Sequence, residues 1–569
     1  MGSRYCNEAT FPGCYNPPVL RRPSVARLLS IIFFLLVAPL LAAPVKLPQD
    51  RPLEDRIAAV LSAPDLARGF WGIEVVSLSS ERTSERTSEK TPGKSSDKAT
   101  GKTLYSQNAD KLFTPASNTK LFTTAAALAL IGPDYKFRTT VETTGTLDRY
   151  GRLNGDLVLV GHGDPNLSGR ELPYDLKTQR NDDAIQALEA LADAIVQKGV
   201  KFIDGDIVAD DSYFAFERYG EGWSQDDLVG EDGAPVSALT INDNVVFVNT
   251  LPADRPGEKA FVSVTPFADY YRIDNRIITT PAGTGRKFFA NREPGSTVLT
   301  LWGNMPLDDA GAKEALAIED PAEFAAGLFC QLLEKRGIVI YGKQRTHHTE
   351  LASLSTFGVT ATASSHGGSD NDGQPRPLRT DQPVTLASYE SKPLLQDVRV
   401  VNKVSQNLHA EILLRLLGRE RGNAGTVEGG LEVLSGFLTQ AGISNDQYVF
   451  YDGSGLSRQN LVTPHAIVQL LRYCSTQPWG TDYKTTFPIS GVDGTLWDRF
   501  NSPRLQNRVL AKTGSLGGVK ALSGYATTDA GQVVVFSIMS NNFNLPAKRV
   551  TDAIDQIVQA ILDDAPAER

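Results

Sequence analysis

Strand-like sequence lies at both ends of this chain, and that placement constrains the fold more than any single local feature. Residues 70–78, "FWGIEVVSL", are rich in β-branched and aromatic side chains and read as a buried strand. Strand character resumes at "TLYSQN", after a charged, low-complexity stretch at 79–102. The simplest arrangement is a hairpin with an overgrown, solvated tip, because added loop length costs little. Near the other end, "NRVLAKTGSLGGVKALSGYATT" and "GQVVVFSIMSNN" read as two neighbouring strands, and "RVTDAIDQIVQAILDD" as an amphipathic closing helix. One domain whose sheet draws on both ends of the chain is therefore expected.

The middle has a different texture. From about 136 to 350, short β-patterned runs recur, among them "FRTTVETTG", "GDLVLVGHG", "GDIVADDSYF", "NVVFVNT" and "STVLTLWG". Helix patterns interrupt them at "DDAIQALEALADAIVQKG" and "PAEFAAGLFCQLLEKRG". A second polar, Gly- and Ser-rich stretch at 364–377 precedes a helix-dominated region beginning at "SKPLLQDVRVVNKVSQNLHAEILLRLLG". A length of 569 residues exceeds what one hydrophobic core supports. The expected organisation is an N-terminal segment (1–43), a split domain (44–137 and 385–569) and a β-rich insertion of one or more domains (138–384).

Formal net charge is -9, which argues against a nucleic-acid-binding chain with its basic face. Arg21, Arg22 and Arg27 precede the apolar run "LLSIIFFLLVAPLLAA" at 28–43. A positive flank, a short greasy core and small residues describe a secretory signal. Pro39 and Pro44 leave the cleavage point open, and an uncleaved N-terminal anchor is the alternative. Either way the bulk of the chain is expected outside the cytoplasm. Of the four cysteines only Cys330 and Cys474 follow this segment, and the sequence leaves open whether they pair.

Chemistry concentrates in three short motifs. In "TPASNTKLFTTAAALAL", Ser117 and Lys120 share one face at the start of an apolar helix. The bland account is a serine cap with a lysine snorkelling to water. The sharper one is a nucleophile with its base, since a serine needs a proton acceptor and a lysine becomes one only when burial or a neighbouring cation lowers its pKa. Ser95 and Lys98 have the same spacing but lie in the solvated stretch. Lys512-Thr513-Gly514 is the only Lys-Thr-Gly in the chain and sits on an expected strand whose glycine can edge an open cleft. Ser405-x-Asn407 stands just before a helix, where a plain helix cap is the competing account.

Ser-x-x-Lys, Ser-x-Asn and Lys-Thr-Gly in this order make up the penicillin-binding protein and β-lactamase set. Together with "LVGHGDPNLS", "APVSALTINDN", "YDGSGLSRQNLVTP", "GVDGTL" and "KTGSLGGVKALSGY", they make the chain resemble the D-alanyl-D-alanine carboxypeptidase/endopeptidase family, the class C low-molecular-mass penicillin-binding proteins. The resemblance runs from about residue 52 to 563, apart from the two low-complexity stretches. It implies an α+β fold, a penicillin-binding/β-lactamase-like transpeptidase domain of antiparallel sheet and helices, interrupted by a large β-rich insertion. It also implies roles: Ser117 as nucleophile, Lys120 as its base, Ser405 as proton relay supported by Lys512, and Asn407 orienting Lys120 and the substrate amide. Thr513 and Ser515 would engage the substrate carboxylate, and backbone N–H groups of Ser117 and Ser515 the oxyanion.

The family often reads Gly-Gly-Gly-Asp where this chain has Gly161-His162-Gly163-Asp164, and His162 is expected to be structural. Asp210 and Asp211 match a stretch where relatives place an acidic residue near the substrate's D-amino end, a charged turn being the alternative. The implied partners are peptidoglycan peptides and, as inhibitors, β-lactams, in the periplasm or another extracytoplasmic space, with membrane contact only through an uncleaved N-terminal segment. A serine β-lactamase and a catalytically idle wall-binding protein are the rival functions. No Gly-x-Ser-x-Gly elbow and no His-Glu-x-x-His occurs, and neither a metal nor a cofactor is implied.

Overall fold

Strand Phe70–Ser77 lies antiparallel beside strand Val533–Asn541, with Trp71 opposite Ser540 and Ser77 opposite Val534. The computed structural model describes residues 51–78, 101–167, 170, 184–354 and 382–564; the N-terminal segment, the expected hairpin tip and the 364–377 stretch lie outside these. The sheet is antiparallel throughout, in the order Thr103–Gln107, Phe70–Ser77, Val533–Asn541, Val519–Thr527, Val509–Leu516. Its middle strand, "VVVFSIMSN", is a near-continuous apolar run because both faces are covered. Val534, Phe536 and Ile538 join one core with the helices Leu53–Leu61 and Ala547–Leu562. Val535 and Met539 face the opposite core, beneath the helical layer. The two terminal helices are tied together by Arg56, which donates to the Ala560 carbonyl (2.8 Å) and pairs with Asp564 (2.7 Å).

The helical layer comprises Lys120–Leu130, Leu394–Lys403, Asn407–Arg421, Val427–Gln440 and Pro464–Thr476. Asn407–Arg421 runs through its centre, buried on every side from Asn407 to Gly418, charged Glu411 and Arg415 included. A helix so enclosed can carry polar groups only where partners meet them.

The insertion leaves along strand Lys136–Thr143 and returns along strand Val384–Pro393, and these two pair antiparallel with Thr143 opposite Val384 and Lys136 opposite Pro393. The chain thus re-enters the parent domain where it left, so the inserted residues need not disturb the parent packing. They build two further cores. A five-stranded mixed sheet, in the order Gln344–Thr349, Ile207–Ala215, Leu157–Val160, Lys136–Thr143, Val384–Pro393, is covered by helices Gln186–Gln197 and Pro321–Lys335. Two three-stranded sheets enclose Val248, Ile277, Leu299, Leu301 and Met305. Cys330 is buried in the first of these cores and Cys474 in the helical layer, and both are free thiols. Among the described residues no helix is long and apolar enough to cross a membrane.

Candidate active site

The serine of "PASNTK" sits on a strained turn. Ala116–Thr119 forms one turn of 3-10 helix that runs straight into the α-helix Lys120–Leu130. Ala116 takes φ 49°, a left-handed conformation that a residue with a β-carbon adopts at a cost, so the surroundings must hold it there. They do: its carbonyl accepts from Thr119 Oγ1 at 3.0 Å, and Asn118 Nδ2 donates to Ser523 Oγ of the sheet at 2.7 Å. Ala116, Asn118 and Thr119 are buried, which leaves Ser117 as the accessible residue of the turn.

Lys120 does not snorkel. It is fully buried, and its Nζ donates to Ser117 Oγ (3.0 Å), Asn407 Oδ1 (2.6 Å) and the Ser454 carbonyl (2.6 Å). Burial brings its pKa down to about 8, against the opposing pull of Asp452, Glu411 and Asp232.

The Ser454 carbonyl is placed by two buried carboxylates. Glu411, on the central helix, accepts from the backbone N–H groups of Gly453 (2.9 Å) and Ser454 (2.8 Å) and pairs with Arg415 (3.1 Å). Asp452 accepts from the N–H groups of Gly455 (2.8 Å) and Ser457 (2.6 Å), from Asn460 Nδ2 (2.6 Å) and from Trp223 Nε1 (2.9 Å). Sequence reading assigned none of these a role, although the glycine-flanked "YDGSG" was the available signal.

Ser405 is not a helix cap. Gln406 is the capping residue of Asn407–Arg421, its side chain accepting from Leu408 N–H at 2.8 Å, while Ser405 takes φ 65° and turns its hydroxyl toward Lys512. Lys512 Nζ donates to Ser405 Oγ (2.8 Å) and to the Thr513 carbonyl (3.0 Å). Burial, aided by the charge of Lys120, pushes the Lys512 pKa well below the usual lysine range. The strand Val509–Leu516 edges the sheet, and its Gly514 backs onto the nucleophile turn so closely that a Cβ would lie 2.5 Å from the Pro115 carbonyl oxygen. Thr513 Oγ1 donates to Thr495 Oγ1 at 2.8 Å, and Lys520 Nζ donates to Ser515 Oγ at 2.7 Å.

The insertion closes the cleft. Asn407 Nδ2 donates to the Asp232 carbonyl at 2.9 Å, and the cleft is lined by Arg170, Glu231 and Asp232 from the insertion and by residues 404–407 from the helical layer. Asp243 receives hydrogen bonds from Arg170 Nε (2.8 Å) and Gln406 Nε2 (3.2 Å) and lies 3.1 Å from His409 Nε2.

Ser117, Lys120, Ser405, Asn407, Lys512 and Thr513 thus share one cleft, with Ser515 at its rim. Asp210 does not join their described hydrogen bonds. It pairs beside Val160 in the insertion's sheet, and its carboxylate faces His347 Nδ1 (2.9 Å) and the Ser212 N–H (2.9 Å). Asp211 is likewise taken up by His348 (2.6 Å) and Ser237 (2.8 Å), and His162 lies edge-on to the Tyr213 ring.

By fold the chain belongs with the penicillin-binding and β-lactamase-like α+β proteins. Penicillin binding protein 4 of Haemophilus influenzae has the same architecture, with a TM-score of 0.69 at 23% identity over 89% of this chain and 98% of that one. The D-Ala-D-Ala carboxypeptidase 3 (S13) family matches residues 77–356 and 362–561, and the chain is a member of that family and a peptidase of its type. It is 34% identical over 468 residues to a D-alanyl-D-alanine carboxypeptidase of Actinomadura sp. (strain R39), covering 80% of this chain and 78% of that protein. To the D-alanyl-D-alanine carboxypeptidase DacB of Haemophilus influenzae it is 26% identical, over 77% of this chain and 82% of that one.

Proposed function

We propose that this peptidase cleaves the D-alanyl-D-alanine ends and cross-links of peptidoglycan peptides through an acyl-enzyme on Ser117. The observation that carries the assignment is the fully buried Lys120, 3.0 Å from Ser117 Oγ. With a pKa of about 8, about a tenth of Lys120 is neutral at pH 7 and can take the Oγ proton as the oxygen attacks the carbonyl carbon. Asn407 and the Ser454 carbonyl fix the ammonium's direction. Backbone N–H groups of Ser117 and Ser515 receive the developing oxyanion. As the C–N bond breaks, Ser405 passes its proton to the leaving amine and is resupplied by Lys512, leaving an ester on Ser117. Water then attacks that ester and releases the peptide acid. Thr513 and Ser515 hold the carboxylate of the leaving residue. Asp210, held by His347 and the Ser212 N–H, is the acidic residue toward the peptide's D-amino end in this reading.

A β-lactam presents the same carbonyl in a strained ring and leaves a longer-lived ester, so it is the probe of choice. The substrate lies outside the cytoplasm, and the apolar run at 28–43 serves as the export signal in this reading. Intact-protein mass spectrometry after incubation with benzylpenicillin, beside Ser117→Ala, tests the assignment. A stable adduct on the parent alone, mapped to the Ser117 peptide and accompanied by D-alanine release from a D-Ala-D-Ala peptide, supports it. Fast penicillin turnover without a lasting adduct supports a β-lactamase instead. A folded chain with neither adduct nor turnover supports an idle wall-binding protein.

A further inference from the structure

Ser515 and Lys520 stand directly opposite each other in the antiparallel pair formed by Val509–Leu516 and Val519–Thr527. Strand alternation puts Thr513 and Ser515 in the same row as Val509 and Ala511, which are buried beneath the closing helix, and puts Lys520 in the row of buried Leu522. Beyond that core the row opens to solvent, and Ser515 is exposed there. Lys520 Nζ donates to Ser515 Oγ at 2.7 Å. That bond occupies an oxygen lone pair, so the hydroxyl proton turns outward, ready to be donated to an anion. The two other lysines of the site cannot act as a fixed cation at this rim. Lys120 and Lys512 are fully buried on the far side of the strand and committed to Ser117 and Ser405.

We infer that Lys520 is a specificity-determining residue that makes the enzyme select substrates whose leaving residue carries a free carboxylate, over those in which that group is amidated. The inference rests on the peptidase reading above. The carboxylate accepts from Ser515 Oγ and meets the Lys520 ammonium, a charge-assisted contact that a carboxamide cannot match. The experiment compares kcat/KM for a peptide ending in D-Ala-D-Ala with that for its C-terminal carboxamide, in the parent chain, Lys520→Gln and Lys520→Arg. The expected result is an acid-to-amide ratio lowered about tenfold in Lys520→Gln, mainly through KM for the acid, and recovered in Lys520→Arg. A ratio that survives Lys520→Gln in an enzyme still active on either peptide overturns the role of Lys520 and leaves the peptidase reading standing. A parent chain inert toward both peptides and toward benzylpenicillin overturns both.

Discussion

Lys120 and Lys512 reach the two serines of one cleft from opposite walls, at 3.0 Å from Ser117 Oγ and 2.8 Å from Ser405 Oγ, and both are fully buried. Neither ammonium donates to a carboxylate in the described hydrogen bonds, so burial dominates and both are held below the usual lysine range. Since Lys120 can accept a proton only when neutral, acylation by benzylpenicillin should rise with pH and level off above about 8. Lys120→Arg should lose the acylation outright, because a guanidinium does not deprotonate in this range. Second-order acylation rates across pH check both.

The same burial has a stability consequence. Lys120 has a pKa of about 8 in the folded chain against an ordinary 10.5. Between those values the unfolded chain binds more protons, so stability rises with pH through the window and is lost as pH falls toward about 8. Relative to Lys120→Met, the parent should gain on the order of 3 kcal/mol across the window. Denaturant unfolding of the two proteins at its lower and upper ends measures the difference.

Gly514 is required by its neighbours rather than by its own backbone. A Cβ there falls 2.5 Å from the Pro115 carbonyl oxygen, and the backbone that would have to yield carries Ser117. Gly514→Ala should slow acylation by about a hundredfold through misplacement of the serine, with the fold retained. Acylation kinetics beside circular dichroism check this.

Asp243 ties the insertion to the Ser-x-Asn motif. It is held on a run of left-handed residues, Asn242, Asp243 and Asn244, and its carboxylate meets Arg170, Gln406 and His409 in a buried setting. Asp243→Ala removes the buried carboxylate that Arg170, Gln406 and His409 share and should cost about 3 kcal/mol or more. Acylation should also weaken, since Gln406 precedes Asn407. Thermal unfolding and adduct yield test the pair of effects.

Cys330 and Cys474 are buried thiols in separate cores. Neither should react with a thiol reagent in the native protein, both should react once it is unfolded, and a reductant should leave the melting temperature unchanged. Peptide mapping of the labelled protein reads this out.

Much of the fold was legible because it is written in local periods. The strands at 70–77 and 533–541 declare themselves by apolar runs, and the closing helix by Val550, Ile554, Ile557 and Ile561 at helical spacing. The motif residues were legible for a related reason: Ser117 and Lys120 lie one turn apart, so their meeting follows from helix geometry alone. Asp210 marks the limit. Its surroundings were not legible, because the insertion's sheet brings His347 to it from a distant strand.

By itself the sequence determined the split sheet, the helix that carries Lys120 and the residue types able to perform acyl transfer. Only the tertiary structure decided which carbonyl holds Lys120, that Glu411 and Asp452 build the wall behind it, and that Asp232 and Asp243 of the insertion complete the cleft. The reason is physical. Burial of an apolar face leaves a period along the chain, whereas a buried carboxylate that gathers N–H groups from residues far away leaves none. The basicity of Lys120 follows from that burial, so it belongs to the fold and not to the motif.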